Sequence, residues 1–478
     1  MPRFKRVLLV CPKFYTGRNR LTHTPLVGLG YIAEALKNAG LSVSVFNMNL
    51  NYKPNELSRR INYFKPDLIG FTAMTLGYKK FYQLVEQTKL LYPEIKIVLG
   101  GAHISAVKEQ ALAECAGIDY GLILEADRSI VQLCQGEDLA KIPGLLFRKE
   151  GLISINKFQD FITDLDALPF PKYEGFDLDK YPLKQIAILT SRGCPYECIY
   201  CSTNATIGRK FRARSPESII AEIIYWHQRG YREILIIDDN FTLIYQRAEK
   251  VCALLEDAKL DGLHLKITSG IRGDRVDRGL LSAMRKVGVD YIAFGVESAS
   301  DKVLKNIKKG EDIATIEKSI RQACELGFAV DLFFLVGSPG ESLSDLKESF
   351  ALARRYPVRR AVFYNLLPLP ATELLEWINQ KGYLARPIEE VLNNTSYYKN
   401  QPAFYTPEMP LALRKKAFRM AQAVSLAVRR NYIESNIKGP VFLKKIFSRV
   451  YALPQVEDMV NNNRLVLFLK EKIKEAFL

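Results

Sequence analysis

A chain of 478 residues, 48% hydrophobic and 25% charged, is too apolar for disorder or a fibre, and at about 150 residues per domain it holds two to four globular units. No run reaches the roughly 18 uncharged apolar residues of a membrane span, and the start MPRFKRVLLVCPKFYTGRNR turns polar too soon for a signal peptide, so a cytoplasmic protein is expected. The net charge of +16 leaves nucleic acid, an anionic membrane surface or plain solubility open, but from Lys381 onward 17 Lys/Arg stand against 8 Asp/Glu, so over half the excess lies in the last fifth of the chain.

In chain order, the first 142 residues alternate β-rich runs (RVLLVCP, SVSVFNMN, PDLIGFTAM, IKIVLGGAH, DYGLILEAD) with helical segments such as GLGYIAEALKNAG. Five such strands predict a doubly wound parallel sheet, an α/β Rossmann-type domain. Ligands of such sheets bind beyond the carboxyl ends of the strands, where Thr72, Thr75, Gly100, Gly101, His103 and Glu125 fall. Residues 143–184 read as a hairpin and a proline-punctuated linker. Residues 185–385 carry six more βα units, with strands at QIAILTS, EILIIDD, LKITSGI, YIAFGVE, VDLFFLVGS and RAVFYNLLPL. They predict a partial (βα)6 barrel of the TIM type, whose chemistry gathers at the strand carboxyl ends, here Ser191, Asp238, Asp239, Asn240, Ser269, Glu297 and Ser338. Residues 386–478 predict a basic helical lobe.

Eight cysteines are too few for a disulfide scaffold, and Cys11, Cys115, Cys134, Cys252 and Cys324 are isolated in or beside apolar runs, as buried structural thiols are. The other three sit in SRGCPYECIYCST, directly after the first barrel strand: Cys194, Cys198 and Cys201. A [4Fe–4S] cluster offers four irons, so three thiolates leave one iron open to a chelating small molecule. The alternative is structural zinc, which wants four closed ligands, and none of His23, His103, His227 or His264 is near in sequence.

This spacing, with aromatic Tyr200 before the last cysteine, resembles the radical S-adenosylmethionine (SAM) superfamily. The resemblance runs on through IIDDNFT, the arginine of SGIRGD, AFGVESASDKVLKNIKKG and LVGSPGES, over roughly residues 185–375. It implies a cluster that reductively cleaves SAM to a 5′-deoxyadenosyl radical, with an external reductant of flavodoxin or ferredoxin type. It also implies Cys194, Cys198 and Cys201 as cluster ligands, Tyr200 as a backbone contact to adenine, Ser269 and Glu297 as polar contacts to the ribose or methionine part, and Asp239 and Asn240 as a wall near the methionine. The first domain, with PLVGLGYIAEALKNAG after strand one and VLGGAHISA after strand four, resembles the cobalamin-binding domain fused to radical SAM methylases and cyclases. Gly100 and Gly101 would let backbone approach a flat macrocycle, and Thr72 and Thr75 would meet its amides; Glu125 and His103 are included for their position at the strand ends, a lone histidine being more often a packed or capping residue than a ligand. Two departures stand out: no Asp-x-His-x-x-Gly motif is present, and strand five ends in LILEADRS where relatives carry alternating glycine and glutamate. A sheet retained as scaffold without the cofactor is the alternative.

In VFLKKIFSRVYAL, Leu443, Ile446, Phe447 and Val450 follow helical spacing while Lys444, Lys445 and Arg449 fall mostly off that stripe. Such a helix packs on the barrel or lies on an anionic membrane as a peripheral contact. A basic, aromatic-rich lobe suits a small-molecule or lipid-like substrate with an anionic head; no nucleic-acid partner is expected. The function classes that remain are radical alkylation of an unactivated carbon, with methylation from cobalamin; radical cyclisation or C–C bond formation without methyl transfer; and a non-catalytic cobalamin carrier or sensor, against which the intact cysteine motif speaks.

Overall fold

The computed structural model describes residues 2–13, 24–53, 55–158, 160–394, 401–436, 444–445, 448–450 and 452–453. Short, nearly all-apolar runs build its first sheet because a parallel strand buried on both faces has no polar side to show. These are β1 (Arg6–Cys11), β2 (Ser42–Asn47), β3 (Leu68–Thr72), β4 (Lys96–Gly100) and β5 (Tyr120–Leu122), parallel in the order β2-β1-β3-β4-β5. Amphipathic crossovers such as Val27–Asn38 and Tyr78–Leu91 bury one face each, through Leu29, Ala33 and Leu36 in the first and Phe81, Tyr82 and Val85 in the second.

The expected strand through LILEAD stops at Leu122. Leu124 turns into the left-handed region at φ 57°, and the acidic residues after it are drawn toward two arginines described below. The expected hairpin is present as β6 (Leu145–Lys149) and β7 (Leu152–Ile155), and β6 pairs antiparallel with β5, so both strands extend the first sheet.

The second sheet holds β8 (Gln185–Ile188), β11 (Glu233–Ile236), β12 (His264–Ile271), β13 (Val289–Glu297), β14 (Ala329–Val336) and β15 (Arg360–Asn365). All neighbours are parallel, in the order β15-β14-β13-β12-β11-β8. Between β8 and β11 a small ladder of β9 (Ser191–Arg192) against β10 (Arg212–Ala213) frames the cysteine loop. Helices follow β11 to β14, several with side-chain caps, such as Asp312 before Ile313–Glu325 and the Ser342/Asp345 capping box before Leu343–Arg355. This is the partial (βα)6 barrel.

The helix Leu411–Asn436 lies against β15 and is pinned by one buried side chain. Arg414 donates to the carbonyls of Val336, Gly337 and Leu366 at 3.1–3.2 Å, with its guanidinium over the Phe404 ring. Gly337, at φ 88°, has to be glycine: a Cβ there would lie 2.2 Å from Arg414 Cζ. Among the described residues no helix is long and apolar enough to cross a membrane. Of the 441–453 stripe, Leu443, Ile446 and Phe447 lie outside the described residues.

Candidate functional site

The three spaced cysteines occupy the loop between β9 and the short helix Thr203–Thr206, at the carboxyl end of the barrel sheet, and all three are partly exposed free thiols. Main-chain bonds hold the loop: Cys194 N–H donates to Gly208 O at 3.3 Å, Cys201 N–H to Cys198 O at 3.0 Å, and Ile199 N–H to Ile307 O at 3.2 Å. Gly193, at φ 85°, passes so close to Lys210 that a Cβ would sit 2.3 Å from its carbonyl oxygen. Burial pushes the Cys198 thiol up to about 11 and raises that of Cys194.

Two buried cations face this loop. Lys309 lies 3.3 Å from Glu297 and 3.6 Å from Glu311, and its charge bears on Cys198. Arg272 lies over the Tyr196 ring at 3.6 Å, pairs with Asp274 at 2.9 Å and donates to the carbonyls of Lys309 and Gly310. Burial alone would lower the Lys309 ammonium, but Glu297 and Glu311 outweigh it and hold the proton more tightly than usual. Among the described residues no three His, Cys, Asp or Glu side chains converge as ligands of a single ion do. A cubane takes each thiolate on a different iron and wants them apart. Three thiols on one loop with buried cations beside them fit an anionic iron–sulfur cluster.

The SAM-directed residues ring the same mouth. Glu297 ends β13 at φ 64°, a position where a non-glycine residue is strained, and its carboxylate meets Lys309 and the Tyr200 hydroxyl. Tyr200 is thereby held with its ring among the core residues. Asp239 is pushed up to about 6, by burial first and then by neighbouring Asp238, with a hydrogen bond from Thr203 opposing. Asn240 is buried and neither end of its amide has a partner among the described residues. Ser269 is exposed on the irregular stretch of β12 between Ile267 and Ile271, beside Gly270 at φ 94°. Asp238 is otherwise engaged: it accepts from Thr190 N–H at 2.6 Å and from the hydroxyls of Thr190 and Ser191 at 2.5 Å, tying β8 to β11.

On the other side of the cysteine loop a cavity of about 280 Å³ opens over the carboxyl edge of the first sheet. Thr72, Gly100, Gly101 and Glu125 line it together with apolar Leu9, Leu29 and Val98, and the barrel side supplies Leu189, Arg192, Thr206 and Ile207. A Cβ on Gly28 would meet nothing within 4 Å, and one on Gly100 only the Phe71 carbonyl at 4.0 Å, so bare backbone faces the space. That surface fits a flat macrocycle. Thr75 and His103 are not among the lining residues. His103 is 1% exposed, stacked on Tyr78 at 4.7 Å with Nε2 2.8 Å from the Tyr82 hydroxyl, and burial lowers its pKa to about 4.

Sequence reading missed the ionic latch between the two sheets. Arg192, two residues before Cys194, pairs with Asp127 through two hydrogen bonds of 3.0 and 3.1 Å and with Glu125 at 3.1 Å. Arg212 joins Glu125 at 2.5 Å. The unusual LEADRS end of strand five is the partner of the SRGC arginine. The only signal in the sequence was the departure itself.

With this geometry in place, a family model described as the Radical SAM superfamily matches residues 188–353, and one described as the B12 binding domain matches residues 16–133. The chain thus carries a B12-binding domain followed by a radical SAM domain. An uncharacterized methyltransferase of Pyrococcus horikoshii is 26% identical over 452 residues, covering 92% of this chain and 95% of that protein. An anaerobic magnesium-protoporphyrin IX monomethyl ester cyclase of Rubrivivax gelatinosus is 25% identical over 398 residues, covering 79% and 70%. Among solved structures, the radical SAM methyltransferase TsrM of Kitasatospora setae with cobalamin and a [4Fe–4S] cluster has a TM-score of 0.70 at 16% identity, over 99% of this chain and 100% of that one. The cobalamin-dependent radical SAM enzyme OxsB has a TM-score of 0.73 at 16% identity, over 99% of this chain and 75% of that one. The two-sheet fold is therefore shared with both.

Proposed function

We propose that this radical SAM enzyme methylates an unactivated carbon of a small-molecule substrate, with cobalamin as methyl carrier. The observation that carries the reading is the placement of the cysteine loop: one flank faces the barrel mouth, and the helix that follows it, with Arg192 before it, walls the glycine-lined cavity of the first sheet. When bound, the cluster with SAM supplies a hydrogen-abstracting deoxyadenosyl radical and cobalamin supplies a transferable methyl group. Cys194, Cys198 and Cys201 would hold the cluster, with Lys309 and Arg272 balancing its charge. Asn240, whose amide has no partner, and Asp239, Ser269 and Glu297 would orient SAM, alongside the backbone at Tyr200. Thr72, Gly100 and Gly101 would take the corrin, and Glu125 would brace its rim through Arg192 and Arg212. An external one-electron donor of flavodoxin or ferredoxin type would reach the loop from outside.

The test is anaerobic turnover with methyl-labelled SAM on candidate substrates in the presence of the reductant. Label in the product together with 5′-deoxyadenosine supports methylation. Deoxyadenosine and a ring-closed, unlabelled product would instead support the cyclase reading, which the Rubrivivax gelatinosus relative's name favours. A lipid-like substrate and peripheral membrane contact through the C-terminal segment form part of the same proposal. They are supported by Lys444, Lys445 and Arg449 and by Val450, an apolar stripe residue that is 46% exposed.

A further inference from the structure

A second cavity, of about 530 Å³, lies beside the helix that follows the cysteine loop. Leu124 lines both cavities, and the helix Thr203–Thr206 separates them, giving Asn204 and Ala205 to this one and Thr206 to the other. The lining includes Lys108 and Lys157, both solvent-exposed, and no carboxylate, and among the described residues neither lysine forms an ion pair. Asn204 donates its amide to Tyr196 O in the cysteine loop at 3.3 Å, while its Oδ1 is buried without a partner.

The backbone here is unusual. Ten non-glycine residues have positive φ among those described, and three of them, Lys108, Leu124 and Ala371, line this one cavity. Lys108 sits at φ 51° and ψ −122°, a turn conformation that glycine supplies without strain. A lysine kept where glycine would be easier needs a use for its side chain.

We propose that this cavity is a subsite for an oxyanion of the substrate, a carboxylate or a phosphate, held by the ammonium groups of Lys108 and Lys157. Asn204 Oδ1 accepts from a hydroxyl next to that group. Two unpaired cations on a carboxylate-free wall attract an anion, and the bond from Asn204 to the cysteine loop sets the distance from the anion to the reacting centre. The inference rests on the proposed radical function only in taking the ligand to be substrate. The same chemistry could come from the phosphodiester of cobalamin's nucleotide tail, and the experiment separates the two.

Holoenzyme carrying cluster and cobalamin is titrated calorimetrically with inorganic pyrophosphate and, separately, with glutarate, as wild type and as K108G/K157A. Wild type binds at least one anion, and its identity distinguishes phosphate from carboxylate. The double variant binds it about tenfold more weakly, the upper end of what two solvent-exposed ion pairs contribute together. Because glycine relieves the backbone at position 108, the K108G single variant melts no lower than wild type, so the loss is not one of folding. Binding of neither anion by wild type, equal binding by the double variant, or a double variant that sheds cobalamin each overturns the proposal. Deoxyadenosine formation by the wild-type enzyme is measured in parallel: its absence counts against the radical function, while anion binding stands or falls by itself.

Discussion

At the scale of single residues, the chain separates its eight thiols by surroundings. Burial pushes Cys11, Cys115, Cys134, Cys252 and Cys324 up to about 12 and Cys198 nearly as far, to about 11, so what marks Cys194, Cys198 and Cys201 is their shared, partly exposed loop rather than acidity; Cys324 is also partly exposed, where a buried thiol was expected. Replacing Cys194, Cys198 or Cys201 with alanine should therefore abolish 5′-deoxyadenosine formation and the cluster absorbance, while Cys252→Ala leaves both in place. Retained reductive cleavage in the triple variant would refute the cluster assignment. His103 makes a second case. Its folded pKa of about 4 lies below the ordinary 6.5, so between those values only the unfolded chain takes up a proton, and stability falls as pH drops. From pH 7 to 5 that is about 2 kcal/mol, so the melting temperature of wild type should fall further on acidification than that of His103→Gln. Its ring, buried against Tyr78 and Tyr82, should also give no imidazole nitrogen splitting in the resonance of bound Co(II) cobalamin; a clear three-line pattern would place it on the metal. The cysteines were legible because ligand spacing is local. The pairing of Asp127 with Arg192 was not, because 65 residues separate them, and the runs that hold Arg272 and Lys309 marked the resemblance without showing that both cations face the cysteine loop.

At the scale of elements, runs of buried β-branched and aliphatic residues made both parallel sheets readable, since only a doubly covered strand tolerates them. The end of β5 was misread because LILEAD continues the apolar pattern, and what stops it is tertiary: Leu124 turns left-handed, and Asp127 and Glu125 meet arginines more than 60 residues away. Hairpin pairing was legible from the turn in RKEGLIS, but its docking on β5 was not, since an edge strand carries no label for its neighbour. The latch has a measurable weight. All of Arg192, Arg212, Glu125 and Asp127 have side chains 3–8% exposed, and removing one partner strands a buried charge at a cost of about 3 kcal/mol. Asp127→Asn should lower the first melting transition by roughly 2–4 °C per kcal/mol lost and reduce cobalamin retention, because Arg192 and Asp127 both wall the cavity. If the variant binds cobalamin and melts as wild type does, the latch has no such role. A Gly337→Ala change tests the opposite edge of the barrel sheet: it forces Arg414 off the carbonyls at the ends of β14 and β15 and should loosen the C-terminal helix from the barrel edge, seen as faster amide exchange in 411–436.

At the scale of the whole molecule, the proposed chemistry lies at the loop between the two sheets, and the surplus of positive charge after Lys381 is where the proposed anionic partner would meet the protein. The helix Leu411–Asn436 spends its buried face, through Arg414, Ala417, Phe418, Ala421, Val424 and Val428, on the barrel. The segment beyond it presents differently. Ser448, off the apolar stripe, is buried with its hydroxyl near Lys445 O and Glu434, while Val450, on the stripe, and Arg449 beside it are exposed. A stripe residue facing outward is what a membrane-lying segment requires and a packed one avoids. Each basic residue at an anionic surface contributes about 1 kcal/mol, so Lys444, Lys445 and Arg449 together supply roughly 3 kcal/mol, about a hundredfold in partitioning. Reversing all three to glutamate should cut binding to anionic liposomes by that factor, and wild-type binding should fall steeply with salt as screening shortens to about 10 Å at 0.1 M. Neutral liposomes should bind neither form. If wild type ignores anionic liposomes at low salt, the basic segment serves solubility, and the substrate's anionic group has to be met at Lys108 and Lys157 by a molecule that reaches them through water.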